Sequence, residues 1–194
     1  WGASTGPTAA NFYGPTDFDP WLTSSNLDGP CAVSGYLFST DKPGVTASNV
    51  AFGSEDVLLY DIASSAWSVW FDGSAHGLTA KNAIHNLDAI YVPDPAFPTF
   101  YLSFTQNARV VPGITGKVDG MDVLKWDGAA FSMYFDGQDV GLTNKTQEKI
   151  DALHVLPGSA SPIGGSCQAY LLISTQGPGK VRGHDGVSIK FGGE

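Results

Sequence analysis

Positive charge is scarce in this chain: ten Lys and Arg stand against nineteen Asp and Glu, for a net charge of −9. Such a surface repels phosphate backbones and anionic lipid, which excludes nucleic acid and an anionic membrane surface as expected partners. No apolar run approaches the roughly 18 residues that a spanning helix needs, so no membrane span is expected. C-x-x-C, H-x-x-x-H and P-loop patterns are all missing, and with them the motif signatures of redox, zinc-hydrolase and nucleotide chemistry. Cysteine is limited to Cys31 and Cys167. Their even number suits a disulfide in an exported chain, with two unrelated buried thiols as the alternative. The chain opens at Trp1 rather than Met, as removal of an N-terminal segment such as a signal peptide would leave it.

Glycine (24) and proline (12) are plentiful, and they break up aromatic and β-branched runs. That pattern predicts an all-β chain rich in turns. Within it the chain repeats itself. "SVWFDGSAHGL" (Ser68–Leu78) returns as "SMYFDGQDVGL" (Ser132–Leu142), and "EDVLLYD" (Glu55–Asp61) returns as "MDVLKWD" (Met121–Asp127). "NLDAIYV" (Asn86–Val92) matches "KIDALHV" (Lys149–Val155), and "FYLSFTQ" (Phe100–Gln106) matches "AYLLISTQ" (Ala169–Gln176). Four β-like runs therefore recur in one order with a period of about 64 residues.

A further copy is divided between the ends. "NLDG" (Asn26–Gly29) and "GYLFSTD" (Gly35–Asp41) supply its first two runs, and "GVSIKFGG" (Gly186–Gly193) aligns with "DVLKWDG". "WGASTGPTAANFYG" (Trp1–Gly14) stands where the last run belongs. Four strands per repeat with complementary ends predict a β-propeller-type array of three blades. Residues 1–14 form the closing strand, 15–73 the first blade, 74–137 the second and 138–194 the third. Within a blade, strand A is "LDAIYV", B "YLSF", C "DVLKWD" and D "FSMYFDG". Three blades are fewer than the usual four to eight. The expected ways out are a two-copy ring, a head-to-tail fibre or membership of a longer array. A β-sandwich with two echoing hairpins is the rival fold.

Aspartate recurs at matched places: Asp28, Asp88 and Asp151 open strand A, Asp72 and Asp136 sit in "FDG", and Asp56 and Asp122 open strand C. In a propeller the strand-A set rings one mouth of the axial channel, where a shared cation would relieve the repulsion. Hard oxygen donors favour Ca²⁺. The competing reading is that these residues cap turns. His76, His85, His154 and His184 occupy unmatched positions, so no catalytic histidine is expected. Trp67, Trp70 and Trp126 fall inside strands as packing residues, whereas Trp1 and Trp21 lie outside them as candidate sugar-stacking rings. "NKT" (Asn144–Thr146) is a glycosylation sequon in a D-to-A loop.

"FDGQDVGL", "KIDALHVLPG", "AYLLIST" and "DGMDVLKWDG" together resemble a repeat of secreted or surface-attached bacterial proteins, of the form F-D-G-S-D-V-G-L followed by D-I-D-A-L. The resemblance spans about Glu55 to Phe191 and implies an extracellular or cell-surface, propeller-like module of undefined function. Three functions stand beside it. The preferred one is a non-catalytic, self-associating surface scaffold or adhesion module stabilised by Ca²⁺, a homo-oligomer whose Cys31–Cys167 bond links chains. The alternatives are a Ca²⁺-dependent hydrolase or lyase at the channel mouth, and a propeller lectin whose partner is a glycan.

Overall fold

The computed structural model describes residues 35–79, 85–94, 97–105, 110–157, 169–182 and 186–192. Among them every regular element is a β-strand, apart from two short 3-10 turns. The all-β expectation holds, in the form of five small sheets. No helix among the described residues is long and apolar enough to cross a membrane. The chain divides into two compact units, Trp1–Leu87 and Asp88–Glu194.

In the first unit β1 (Gly35–Phe38), β4 (Val57–Asp61) and β5 (Ala66–Phe71) form an antiparallel sheet in the order β1-β4-β5. A small hairpin of β2 (Gly44–Val45) and β3 (Ala51–Phe52) is inserted between β1 and β4. The alternation read in the sequence is realised. Phe38, Leu58 and Tyr60 are buried, and Tyr36, Phe52, Trp67 and Val69 pack on them. The Trp67 ring lies 5.3 Å from Phe38 and 5.0 Å from Tyr60. Such tilted pairs each add about 0.5–1.5 kcal/mol beyond area burial. Val57 and Leu58 are neighbours on opposite faces of β4 and both are buried, so the strand is apolar on both sides.

The second unit contains a four-stranded sheet in chain order: β6 (Leu87–Tyr91, starting where the first unit ends), β7 (Phe100–Phe104), β8 (Val123–Trp126) and β9 (Phe131–Phe135). This is the A-B-C-D order of the sequence repeat, with Leu102 opposite Leu124 and Trp126 opposite Phe131. Next come the antiparallel pair β10 (Ile150–Pro157) and β11 (Ala169–Thr175), then the hairpin β12 (Gly179–Arg182) and β13 (Ser188–Phe191). Ala89, Val123, Ile150 and Leu153 form the core shared by the sheet and the pair, with Leu171 and Ile173 packed against it. Ser103 on β7 stitches them together, its Oγ accepting the Ala89 N–H and donating to the Ile150 carbonyl at 2.8 Å.

One sequence assignment is corrected. The sequence places Gly186–Gly193 at strand C, yet Ser188–Phe191 pairs with Gly179–Arg182, Gly179 opposite Phe191. The hairpin β2–β3 does the same, Gly44 opposite Phe52. In both, the phenyl ring fills the space that a Cβ on the glycine would take. The segment is therefore the counterpart of β2–β3, marked by the shared Pro-Gly at Pro43–Gly44 and Pro178–Gly179. A short apolar alternation suits any strand, and only the glycine-to-ring packing sets its place. Its expected partner, Trp1–Gly14, lies outside the described residues.

Candidate functional site

The repeated acids converge on the start of strand C. In the first unit Asp56 Oδ2 accepts the Gly53 N–H at 2.7 Å and Oδ1 accepts the Gly73 N–H at 2.9 Å. In the second unit Asp122 accepts the Asp119 N–H at 2.8 Å and the Gly137 N–H at 3.1 Å. Each carboxylate thus ties the loop before strand C to the "FDG" turn after strand D. From the same turn, the Gly73 carbonyl accepts the Leu78 N–H, and the Gly137 carbonyl accepts the Leu142 N–H. The carbonyls of Ser54 and Gly120 then receive Leu87 and Ile150 from the next strand A. One aspartate per repeat organises a four-way junction of D, C, the connecting loop and the following A.

The rest of the motif follows from that junction. A Cβ on Gly73 would collide with the Glu55 carbonyl, and one on Gly137 with the Met121 carbonyl. Gly73 has φ −61°, so closeness rather than backbone conformation requires glycine there. The second glycine of each motif is the opposite case: Gly77 and Gly141 end the 3-10 turns Ser74–His76 and Gly137–Val140 at φ 82° and 89°. Between them Asp72 accepts from Ser74 Oγ and the Ala75 N–H, and Asp136 from the Gln138 N–H. The Ser74 hydroxyl, then the Ala75 N–H, hold the Asp72 carboxyl below its usual range. Asp61 and Asp127 close the C-to-D turns in the same manner, on Ser64 and on Ala129 and Ala130.

Of the strand-A set, Asp28 lies outside the described residues. Asp88 and Asp151 are buried, where Asp88 accepts from Gln176 Nε2 at 3.2 Å and Asp151 from Ser174 Oγ at 2.5 Å. Among the described residues no three His, Cys, Asp or Glu side chains gather as a metal-binding group. His154 is packed edge-on against Tyr91 at 4.3 Å, and His76 stacks on Phe71 at 5.1 Å. Asn144 is exposed; its Oδ1 accepts from Thr146 Oγ1 at 2.8 Å, so the sequon sits in a surface turn. Cys31, Cys167, His184, Trp1 and Trp21 are outside the described residues.

The second junction carries extra charge. Asp119, buried beside Asp122, faces Lys145 Nζ at 3.4 Å and Gln138 Nε2 at 3.3 Å. Burial pushes the Asp122 carboxyl up to about 6, helped by the charges of Asp119 and Asp136, while the Asp119 and Gly137 N–H bonds pull the other way. Glu148 is the acid that sequence matching did not single out. Its Oε2 accepts the Thr143 and Asn144 N–H at 2.6 Å, and its Oε1 the Lys180 N–H at 2.9 Å. Burial works against its ionised form, yet those three bonds keep the group below its usual range. In the first unit His85 Nδ1 takes the Thr79 N–H at 3.0 Å, the counterpart bond. The signal was the shared "GLT" followed by an acceptor, hidden by a change of residue type and a one-residue difference in loop length. Protein-family models, curated proteins and solved structures yield no match to this chain.

Proposed function

We propose that this chain is a non-catalytic, exported module of the β-propeller type, three repeats long, that assembles by strand addition into an extracellular scaffold or adhesion surface. The observation that carries the reading is the edge of β11. In the two earlier repeats strand B is covered by strand C: β1 by β4, and β7 by β8. β11 is bonded to β10 on one edge, and no described strand pairs with the other. Leu172, in mid-strand, is 48% exposed. A long apolar edge is a template for another chain, and the homo-oligomer, as ring or fibre, is the assembly that uses it. Light scattering behind size exclusion tests this. Wild type should grow in mass with concentration, and Leu172→Lys should shift the distribution to monomer. A wild type that stays monomeric up to millimolar concentration contradicts the proposal.

Carbohydrate binding has one observation in its favour. Tyr91, Tyr101 and Tyr134 form a row, with centroids 6.1 Å and 4.7 Å apart, and Tyr134 at its end is exposed. Rings of that kind suit the apolar face of a sugar. Glycan-array binding that Tyr134→Ala abolishes would favour this reading over a scaffold.

A further inference from the structure

Glu55 belongs to the first junction but bonds differently from its fellows. It is 6% exposed, and its Oε2 has no hydrogen-bond partner. Set against the second unit, the acid has changed position. There the acid is Asp119, and the fully buried Met121 stands where Glu55 does. Here Gly53 replaces that aspartate, and the Glu55 carboxylate fills the space a Cβ on Gly53 would need. Both routes bring an acid to the same end of strand C, next to the junction aspartate. In the second unit a cation meets it, the Lys145 ammonium at 3.4 Å. No described group does so for Glu55 Oε2. A buried carboxylate without a counter-charge or full hydrogen bonding is costly, by several kcal/mol per ion.

The geometry points to a divalent-cation site at Glu55, shared with the adjoining Asp56 carboxylate. Two neighbouring carboxylates carry two negative charges, which one Ca²⁺ balances. Hard oxygen donors are the ligands it takes, and water completes its shell. Asp56 is already fixed by the Gly53 and Gly73 N–H bonds, so an ion there would clamp the D-to-A loop to strand C. The site does not depend on assembly at β11. The competing occupant is the chain's own Lys81, which in "GLTAK" stands where Lys145 stands in "GLTNK" and lies outside the described residues.

Calorimetric titration of EDTA-treated, desalted protein with CaCl₂ tests the site, with thermal melting in parallel. Wild type should take up one ion per chain that Glu55→Gln and Glu55→Met do not, with Kd on the order of 10⁻⁴–10⁻³ M. Its melting temperature should rise by roughly a few degrees at saturation, and neither variant should respond. Glu55→Met has a steric precedent in Met121, so it keeps the test open if the glutamine variant folds poorly. Wild type without binding heat, or a methionine variant that binds like wild type, overturns the proposal. So does a calcium-insensitive wild type whose melting temperature drops in Lys81→Gln, which would assign the place to the ammonium.

Discussion

Asp122 holds two backbone N–H groups from opposite sides of a junction, and its burial gives it a pH signature. Its native pKa, about 6, lies above its ordinary 3.8. Between those values the native state keeps a proton that the unfolded chain has released. Its contribution to stability is therefore full below about pH 4, falls as pH rises to about 6, and is level beyond. Glu148 and Asp72, held low, act in the opposite sense: their contribution is present at neutral pH and is lost as the solution is acidified through their native pKa values. Denaturant melts of wild type and Asp122→Asn isolate the first effect, because the difference cancels the other groups. That difference should decline from pH 4 to pH 6.5, and a flat difference would show that the carboxyl is not raised. The glycines make a second, steric prediction. Gly137→Ala, pressed on the Met121 carbonyl, should cost about 1–3 kcal/mol as overpacking does. Gly116→Ala would meet nothing within 4 Å but stands at φ 100°. Its cost is backbone strain alone, about 1–2 kcal/mol, and it serves as the reference for substitution without collision.

At the scale of elements, the D-to-A loop of the second repeat is fastened by one side chain. Glu148 joins Thr143 and Asn144 at the loop start to Lys180 on β12. Hydrogen bonds to a charged acceptor contribute about 1.5–3 kcal/mol each. Glu148→Ala should speed amide exchange at Thr143, Asn144 and Lys180 together, leaving Leu102 and Leu124 in the sheet unchanged. Unaltered exchange at those three amides would mean that the loop is held elsewhere. The strands themselves were legible, because alternation and the repeated D-V-L and F-D-G runs are dictated by the same junction in each copy. Two things were not. The side chain that receives the start of the D-to-A loop is His85 in one copy and Glu148 in the other, so no matched column reveals it. The β12–β13 hairpin hides behind a generic V-x-I-x-F alternation, and its true marker is the Pro-Gly before it. Asp56, Asp61, Asp72, Asp122, Asp127 and Asp136 recur because each holds backbone N–H groups at a turn.

For the whole molecule, the proposal turns on an edge rather than a pocket. Each repeat's strand B calls for a strand C, and no described strand covers the second edge of β11. Its antiparallel pairing with β10 uses alternate amides, so the remaining amides of β11 face outward and report directly on what arrives there. Concentration-dependent hydrogen exchange of Leu171, Leu172, Ile173 and Ser174 is the most direct measurement. The account predicts that the outward-facing amides among them exchange quickly in dilute protein and become protected as concentration rises, in step with the mass from light scattering. Exchange that is the same at every concentration while the mass increases would place the assembly contact elsewhere and contradict strand addition at β11.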